Sequence, residues 1–176
     1  VPASLNTAIA VATGEFHTVA VTPSGSVLCW GRASYGALDV PAGLGTVTAV
    51  AAGGNHSIAR LSNGAVRCWG WNEYAQCDVP ANLGAVTEVA AGGFHSMAIT
   101  ASGAVRCWGG GFAGQCSPPA DLSSATAIDG GYEFSIGLSA SGAVRCWGSN
   151  ALGQCRVPTD LGAATAVAAG ARHAVA

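Results

Sequence analysis

Residues 46–84 read TVTAVAAGGNHSIARLSNGAVRCWGWNEYAQCDVPANLG, and this unit decides the fold. Residues 85–123 repeat it with 22 identities in 39 positions. The same spacing of 39 residues separates Trp30, Trp69, Trp108 and Trp147. A fixed period of this length indicates repeated structural units that bury their faces only against one another.

Short apolar runs separated by turns make up each unit. Residues 46–52, 56–61 and 65–70 predict three strands, and 77–79 predicts a fourth, outer strand. Asn and Gly in the segment 62–64 predict a hairpin turn because both tolerate positive φ. No helical period is sustained over ten residues. The pattern predicts an all-β fold in which each unit is one blade of a β-propeller; the alternative, a β-solenoid, usually has shorter coils without such hairpins.

The repeats divide one domain, residues 1–176, into four and a half units. They are 7–45, 46–84, 85–123, 124–162 and the partial unit 163–176, with 1–6 as the tail of a preceding unit. We therefore expect an incomplete propeller, either an open arc whose ends contact other chains or a ring whose remaining blades lie outside this sequence. A strand beginning at His173 is expected to pair with material outside residues 1–176, because an unpaired edge invites strand addition.

Composition excludes several classes of function. Half of the 176 residues are hydrophobic, the formal net charge is −2, and the seven basic residues are all arginine. The absence of lysine argues against a P-loop, a Schiff base and a nucleic-acid partner. No stretch reaches the roughly 18 apolar residues of a membrane span. Without a Gly-x-Ser-x-Gly or His-Glu-x-x-His motif we expect neither an enzyme nor a cofactor or metal site.

Six of the seven cysteines recur in pairs nine residues apart. We predict three disulfides on this basis: Cys68–Cys77, Cys107–Cys116 and Cys146–Cys155. Metal ligation is the weaker alternative because no Cys-x-x-Cys pair is present. Cys29 has no partner because Leu38 occupies the second position, so it is expected to be a free thiol or to bond outside this sequence. Three disulfides predict an extracellular protein, secreted or on the cell surface.

Candidate binding residues lie where the period fails, because loops vary on a rigid scaffold. The loops that follow each Trp-Gly pair supply the candidates Arg32, Tyr35, Trp71, Glu73, Tyr74, Phe112 and Asn150. A second set of loops, between the first and second strands, carries Glu15, Phe16, Asn55, Phe94, Tyr132, Glu133 and Arg172, and we expect it to ring the other end of the propeller. Ordinary loop packing is the alternative for both sets.

The histidines follow the repeat and are interpreted as scaffold. His17, His56, His95 and His173 share one position, and Phe134 occupies it in the fourth unit. Phenylalanine can replace their packing but not a proton carrier. Asn55, followed by His56 and Ser57, forms a sequon and is a candidate glycosylation site.

The motif Val-x-x-Val-Ala-Ala-Gly-x-x-His-Ser-x-Ala, followed by Gly-x-Val-x-Cys-Trp-Gly-x-Asn-x-x-x-Gln-Cys, spans residues 47–77 and resembles the regulator-of-chromosome-condensation (RCC1-type) repeats. The resemblance implies a propeller, commonly of seven blades, used for protein recognition. Our first hypothesis is a non-catalytic extracellular module that binds a protein partner, or other segments of the same longer chain, within a larger assembly. Alternatives are a glycan-binding or enzyme-inhibiting propeller that uses the aromatic loops, and, from the resemblance alone, an exchange factor for a small GTPase.

Overall fold

The computed structural model describes residues 1–176 as an all-β chain of four three-stranded antiparallel sheets and one two-stranded sheet. We number the sheets as blades 1 to 5 in chain order. Blade 1 comprises β1 (Ala10–Thr13), β2 (His17–Val21) and β3 (Val27–Gly31); blade 2 comprises β4 (Val47–Ala52), β5 (His56–Leu61) and β6 (Val66–Gly70); blade 3 comprises β7 (Val86–Ala91), β8 (His95–Thr100) and β9 (Val105–Gly109); blade 4 comprises β10 (Ala125–Gly130), β11 (Phe134–Ser139) and β12 (Val144–Gly148); blade 5 comprises β13 (Ala168–Ala169) and β14 (Ala174–Val175). No helix that could cross a membrane is present.

The predicted β-propeller architecture is confirmed, whereas the predicted fourth strand is wrong. Residues 77–79 form no strand. The backbone N–H of Asp78 instead donates to the carbonyl of Ala75 at 3.1 Å, and the N–H of Val79 donates to the carbonyl of Cys77 at 3.0 Å. These local turns occupy the donors that an outer strand would need for its ladder.

Consecutive blades pack face to face through apolar side chains. Between blades 2 and 3, Ile58 and Val66 lie in one buried cluster with Val89, Ala98 and Trp108. The hairpin of each of the first four blades also forms a hydrogen bond with the beginning of the next blade. The carbonyl of Gly64, for example, accepts from the N–H of Val86 at 2.9 Å, and the equivalent bond recurs at every later and earlier blade boundary. The blades are therefore held in a fixed order around a common axis.

The inner strands β1, β4, β7, β10 and β13 lie next to one another in that order and surround a central groove of about 460 Å³. Its wall is rich in glycine and alanine, which lets the strands approach closely. Glu15, Tyr132 and Arg172 also line this groove. Within blade 5, Ala169 of β13 pairs with Ala174 of β14, and the expected pairing with material outside the sequence stays a prediction.

Gly92 lies where blades 3 and 4 approach each other closely. A methyl group at this position would overlap the ring of His95 and the carbonyl oxygen of Gly131 in blade 4. We expect Gly92→Ala to lower the free energy of unfolding by about 1 to 3 kcal/mol, as overpacking does elsewhere. Urea unfolding followed by circular dichroism measures the change. Gly111→Ala is the control, since a methyl there meets only Cys116 Cβ at 3.7 Å; equal losses in both variants would contradict the packing argument.

Candidate functional site

Both sets of variable loops lie at the same end of the propeller, so the expectation that they occupy opposite ends is wrong. The turn between the first and second strands precedes the second strand, and the third strand runs antiparallel to the second. The final residue of the third strand therefore lies beside the turn that precedes the second strand, as the pairing of His95 with Gly109 shows. Backbone hydrogen bonds join the two loops of each blade. In blade 2 the N–H of Trp71 donates to the carbonyl of Asn55 at 2.9 Å, and in blade 3 the N–H of Gly110 donates to the carbonyl of Phe94 at 2.8 Å.

Six aromatic rings from these loops form one continuous cluster across blades 1 to 4. We call it the aromatic surface; its members are Tyr35, Trp71, Tyr74, Phe94, Phe112 and Tyr132. The centroid of the Trp71 ring lies 5.6 Å from that of Tyr35, 5.1 Å from Tyr74 and 5.8 Å from Phe94. Phe94 continues the cluster to Tyr132 at 4.7 Å, and Tyr74 reaches Phe112 at 4.8 Å.

The rings pack mainly edge to face. Interplanar angles range from 63° to 89° for every pair except Tyr35 and Trp71, which are tilted at 36°. Tyr35 and Phe112 remain 64% and 65% exposed, whereas Trp71, Tyr74 and Phe94 are half-buried. The cluster therefore has a supported centre with exposed rings on its outside.

The other predicted site residues are distributed around this surface. Glu73 is exposed between Trp71 and Tyr74. Arg32 lies apart from the cluster, with its guanidinium carbon 5.2 Å from the centroid of the Phe16 ring. Asn150 belongs to the blade 4 loop, where its side-chain oxygen accepts from the N–H of Cys155 at 2.9 Å. The side-chain amide of Asn150 therefore forms a hydrogen bond within its own loop.

A buried hydrogen-bond relay links each blade to the next. Between blades 2 and 3, His56 Nε2 lies 3.0 Å from Ser96 Oγ, and that hydroxyl donates to the carbonyl of Gln76 at 2.8 Å. Trp108 Nε1 donates to the same carbonyl at 3.0 Å. The relay recurs between the blades on either side, with members His17, Ser57, Ala37 and Trp69, and His95, Ser135, Gln115 and Trp147.

The relay keeps its histidines neutral. Because Ser96 donates its proton to a carbonyl, His56 must donate through Nε2, which leaves Nδ1 as an acceptor without a partner. Burial lowers the pKa of His56 to about 3 and that of His95 to about 4, and it also lowers the pKa of His17. A pair formed by serine and histidine resembles a nucleophile with its base, but here the hydroxyl proton points away from the imidazole.

The role of the repeated glutamines was not recognised in the sequence. Gln76 and Gln115 are fully buried, and their side-chain oxygens accept from the N–H groups of Tyr74 and Ala113, each at 2.9 Å. Gln76 thus orients the loop that carries Tyr74. The recurrence of Gln at one repeat position, in Gln76, Gln115 and Gln154, is the sequence signal from which this role could have been predicted.

Two carboxylates replace small residues on inner strands. Glu88 accepts from the N–H of Ile128 in the next blade at 3.3 Å, and Asp129 accepts from that of Ala169 at 2.8 Å. Burial raises the pKa of both carboxyl groups. No group of three potential metal ligands is present in residues 1–176.

Two of the three predicted disulfides are formed, Cys107–Cys116 and Cys146–Cys155. Cys68 and Cys77 remain thiols, contrary to the prediction, and Cys29 is also free. Cys77 Sγ instead donates to the carbonyl of Trp71 at 3.4 Å. Burial raises the pKa of Cys68 and raises those of Cys77 and Cys29 to about 12 and about 11, so all three thiols are protonated at neutral pH.

The sequon at Asn55 coincides with relay residues. His56 and Ser57 are fully buried, and Ser57 Oγ donates to the carbonyl of Ala37. The dipeptide His-Ser recurs at His95 and Ser96 without a preceding asparagine. His56 and Ser57 are therefore explained by their structural role in the relay, independently of any glycan. Glycosylation of Asn55 stays a prediction.

Comparison with known proteins places this geometry in a family. The family model of the regulator of chromosome condensation (RCC1) repeat matches residues 8–37, 47–76, 86–115 and 125–154. The chain belongs to the RCC1 repeat family. The four matched segments each contain the glycine turn, the Trp-Gly strand and the loop that together build the aromatic surface. No curated protein sequence matches the chain significantly.

Several solved structures share the fold of this chain. The ectodomain of the receptor kinase CR4 from Physcomitrella patens is 24% identical, with a TM-score of 0.74 over 92% of this chain and 44% of that one. The CRINKLY WD40 ectodomain of the receptor kinase ACR4 from Arabidopsis thaliana is 24% identical, with a TM-score of 0.72 over 91% and 56%. Prp20p from Saccharomyces cerevisiae is 18% identical, with a TM-score of 0.74 over 93% and 54%. The chain thus spans about half the length of these structures.

Proposed function

We propose that this RCC1-type propeller is a non-catalytic protein-interaction module of an extracellular assembly, and that the aromatic surface binds its partner protein. The observation that carries the proposal is the continuous six-ring cluster on loops that depart from the repeat. Tryptophan and tyrosine dominate the energetics of protein interfaces, and exposed apolar patches mark binding sites. The fold itself permits many functions, so the proposal rests on this site.

The ring geometry favours a protein over a glycan. A sugar ring stacks on a broad, open aromatic face, whereas the edge-to-face packing here turns the edge of one ring toward the face of another. The resulting surface is uneven, with exposed rings at Tyr35 and Phe112 separated by half-buried ones. Such a surface suits the interdigitating side chains of a protein interface.

We assign the serine and histidine pairs a structural role. A nucleophilic serine needs a base that takes its proton, and the base needs a third group to orient it. In this relay the serine proton goes to a backbone carbonyl, and histidine Nδ1 has no partner. The serine and histidine pairs are also buried between adjacent blades. These features support a relay that aligns the blades rather than a reaction centre.

Three observations support the extracellular setting or the protein partner. The disulfides Cys107–Cys116 and Cys146–Cys155 are typical of oxidising compartments. Two of the structural neighbours are receptor-kinase ectodomains, and the structure of Prp20p was described together with its binding to Gsp1p and histones.

Removing the two most exposed rings tests the proposed function. We expect Tyr35→Ala combined with Phe112→Ala to weaken capture of a partner from the extracellular fraction of the source organism by about tenfold or more, since buried aromatic anchors contribute most at interfaces. Quantitative mass spectrometry of proteins retained on the immobilised chain measures the loss. Both rings are exposed, so the fold should be unchanged in circular dichroism.

Leu152→Ala is the matched control, because Leu152 occupies the repeat position of Tyr35 and is also exposed. It should retain the partner. Equal retention by the double variant would overturn the proposal. So would saturable binding on a glycan array that disappears in Trp71→Ala, because that result would make the surface a sugar site.

A further inference from the structure

The polar atoms of the aromatic surface are not used by the chain. Three of the four repeated tryptophans donate Nε1 to a backbone carbonyl, as Trp69 does to Ala37 at 3.1 Å and Trp147 to Gln115 at 2.7 Å. Trp71 Nε1 makes no such bond, and neither do the hydroxyl groups of Tyr35, Tyr74 and Tyr132. These groups are available to a ligand.

The surface also carries carboxylates without cationic partners. Glu73 projects from the loop between Trp71 and Tyr74, and Glu133 follows Tyr132. The chain forms a salt bridge only between Arg145 and Asp121, away from these residues. In blades 2 and 3 the loops at this end contain no basic residue. Aromatic faces beside unpaired carboxylates attract a cation and repel an acidic ligand.

Blade 1 shows how such a cation is held. Phe16 occupies the same repeat position as Phe94, and the guanidinium of Arg32 lies 5.2 Å from the Phe16 ring centroid. In blade 3 the position of Arg32 is taken by Gly110, which has no side chain. The chain thus supplies its own arginine to the aromatic position in blade 1 and none in blade 3.

We propose that the aromatic surface recognises an arginine side chain on its protein partner, with the guanidinium stacked on an exposed ring and paired with Glu73 or Glu133. The inference rests on the proposed function and names the chemistry of the partner. Arginine fits better than lysine because its planar guanidinium stacks on rings and pairs with a carboxylate through two parallel hydrogen bonds. Arg32 on Phe16 is an example of this stacking within the chain itself.

Fluorine NMR of the whole chain labelled with 5-fluorotryptophan tests the proposal. Trp71 is identified as the resonance lost in Trp71→Phe. The probes are the peptide acetyl-Gly-Leu-Arg-Leu-Gly-amide and its twin in which citrulline, a neutral isostere, replaces arginine. We expect the arginine peptide to shift the Trp71 resonance saturably and to bind about tenfold more tightly than the citrulline peptide, with the four repeated tryptophans unaffected.

Charge variants add an independent readout. Glu73→Gln combined with Glu133→Gln should abolish the preference for arginine over citrulline, whereas Asp160→Asn, which removes an exposed carboxylate elsewhere, should preserve it. Equal binding of the two peptides, or no shift of Trp71 by either, would overturn the proposal. If the two peptides bind with equal affinity while the partner protein is still captured, the arginine inference fails and the proposed function stands. If the arginine peptide binds but no protein is captured, the proposed function fails instead.

Discussion

Trp108→Ala is expected to lower the free energy of unfolding by about 3 to 5 kcal/mol, the range for removal of a buried tryptophan. Trp108 is only 7% exposed and packs among Ile58, Val66 and Val89 at the boundary between blades 2 and 3. The substitution leaves a cavity there and removes one of the two donors to the Gln76 carbonyl. Urea unfolding followed by circular dichroism measures the loss.

Trp30→Ala is the matched control for this prediction. Trp30 occupies the same repeat position in blade 1 but is only half-buried, and its Nε1 makes no hydrogen bond within the chain. Its removal should cost distinctly less. Trp108→Phe should give an intermediate loss, because it keeps a ring and removes the indole N–H; this variant remains informative if Trp108→Ala does not fold. Equal losses for Trp30→Ala and Trp108→Ala would show that burial between blades is not the source of the stability.

The strands could be predicted because the repeat exposes their apolar runs and turns. The run 56–61 matches β5, and the hairpin at Gly64 has the positive φ of 80° that its sequence indicates. The segment 77–79 was wrongly assigned to a strand because two or three apolar residues do not show whether a partner ladder exists. Its N–H groups are used in local turns, which the residue types alone do not determine.

The sequence predicted the residues of the aromatic surface but not that they lie together. Its loop residues were singled out because they break the period, but Phe94 and Tyr132 were assigned to the opposite end of the propeller. Strand direction alone corrects this, since the third strand of a blade must end beside the turn that precedes the second. The contact between Phe94 and Trp71 additionally depends on the offset between blades, which no single repeat encodes.

The relay between blades was the least predictable feature. Its acceptor is a backbone carbonyl, and a backbone group has no sequence signature. Ala37 and Gln76 therefore perform the same task with different side chains. The spacing of the repeated cysteines likewise did not suffice to predict every disulfide. The same separation of nine residues gives a disulfide between Cys107 and Cys116 but two thiols at Cys68 and Cys77.

Acidification from pH 6.5 to pH 4 is expected to destabilise the fold by several kcal/mol. Burial lowers the pKa values of His56 and His95 from 6.5 to about 3 and about 4, so the folded chain excludes protons that the unfolded chain binds. Their stabilising contribution is complete above pH 6.5 and is lost as the pH falls toward the folded pKa values. Each such histidine changes the stability by about 1.4 kcal/mol per pH unit in this window. Glu88 and Asp129 act in the opposite direction, because their raised pKa values favour proton binding by the folded chain.

Urea unfolding at a series of pH values between 7 and 4 measures this dependence. His95→Phe, which copies the residue that blade 4 has at Phe134, should reduce its slope by about 1.4 kcal/mol per pH unit because one titrating group is removed. The His173→Phe control replaces an exposed histidine and should leave the slope unchanged. The slope is the decisive quantity, since loss of the bond to Ser135 changes stability by a similar amount at every pH above the folded pKa. An unchanged slope in His95→Phe would mean that the buried relay does not govern the acid sensitivity of the propeller.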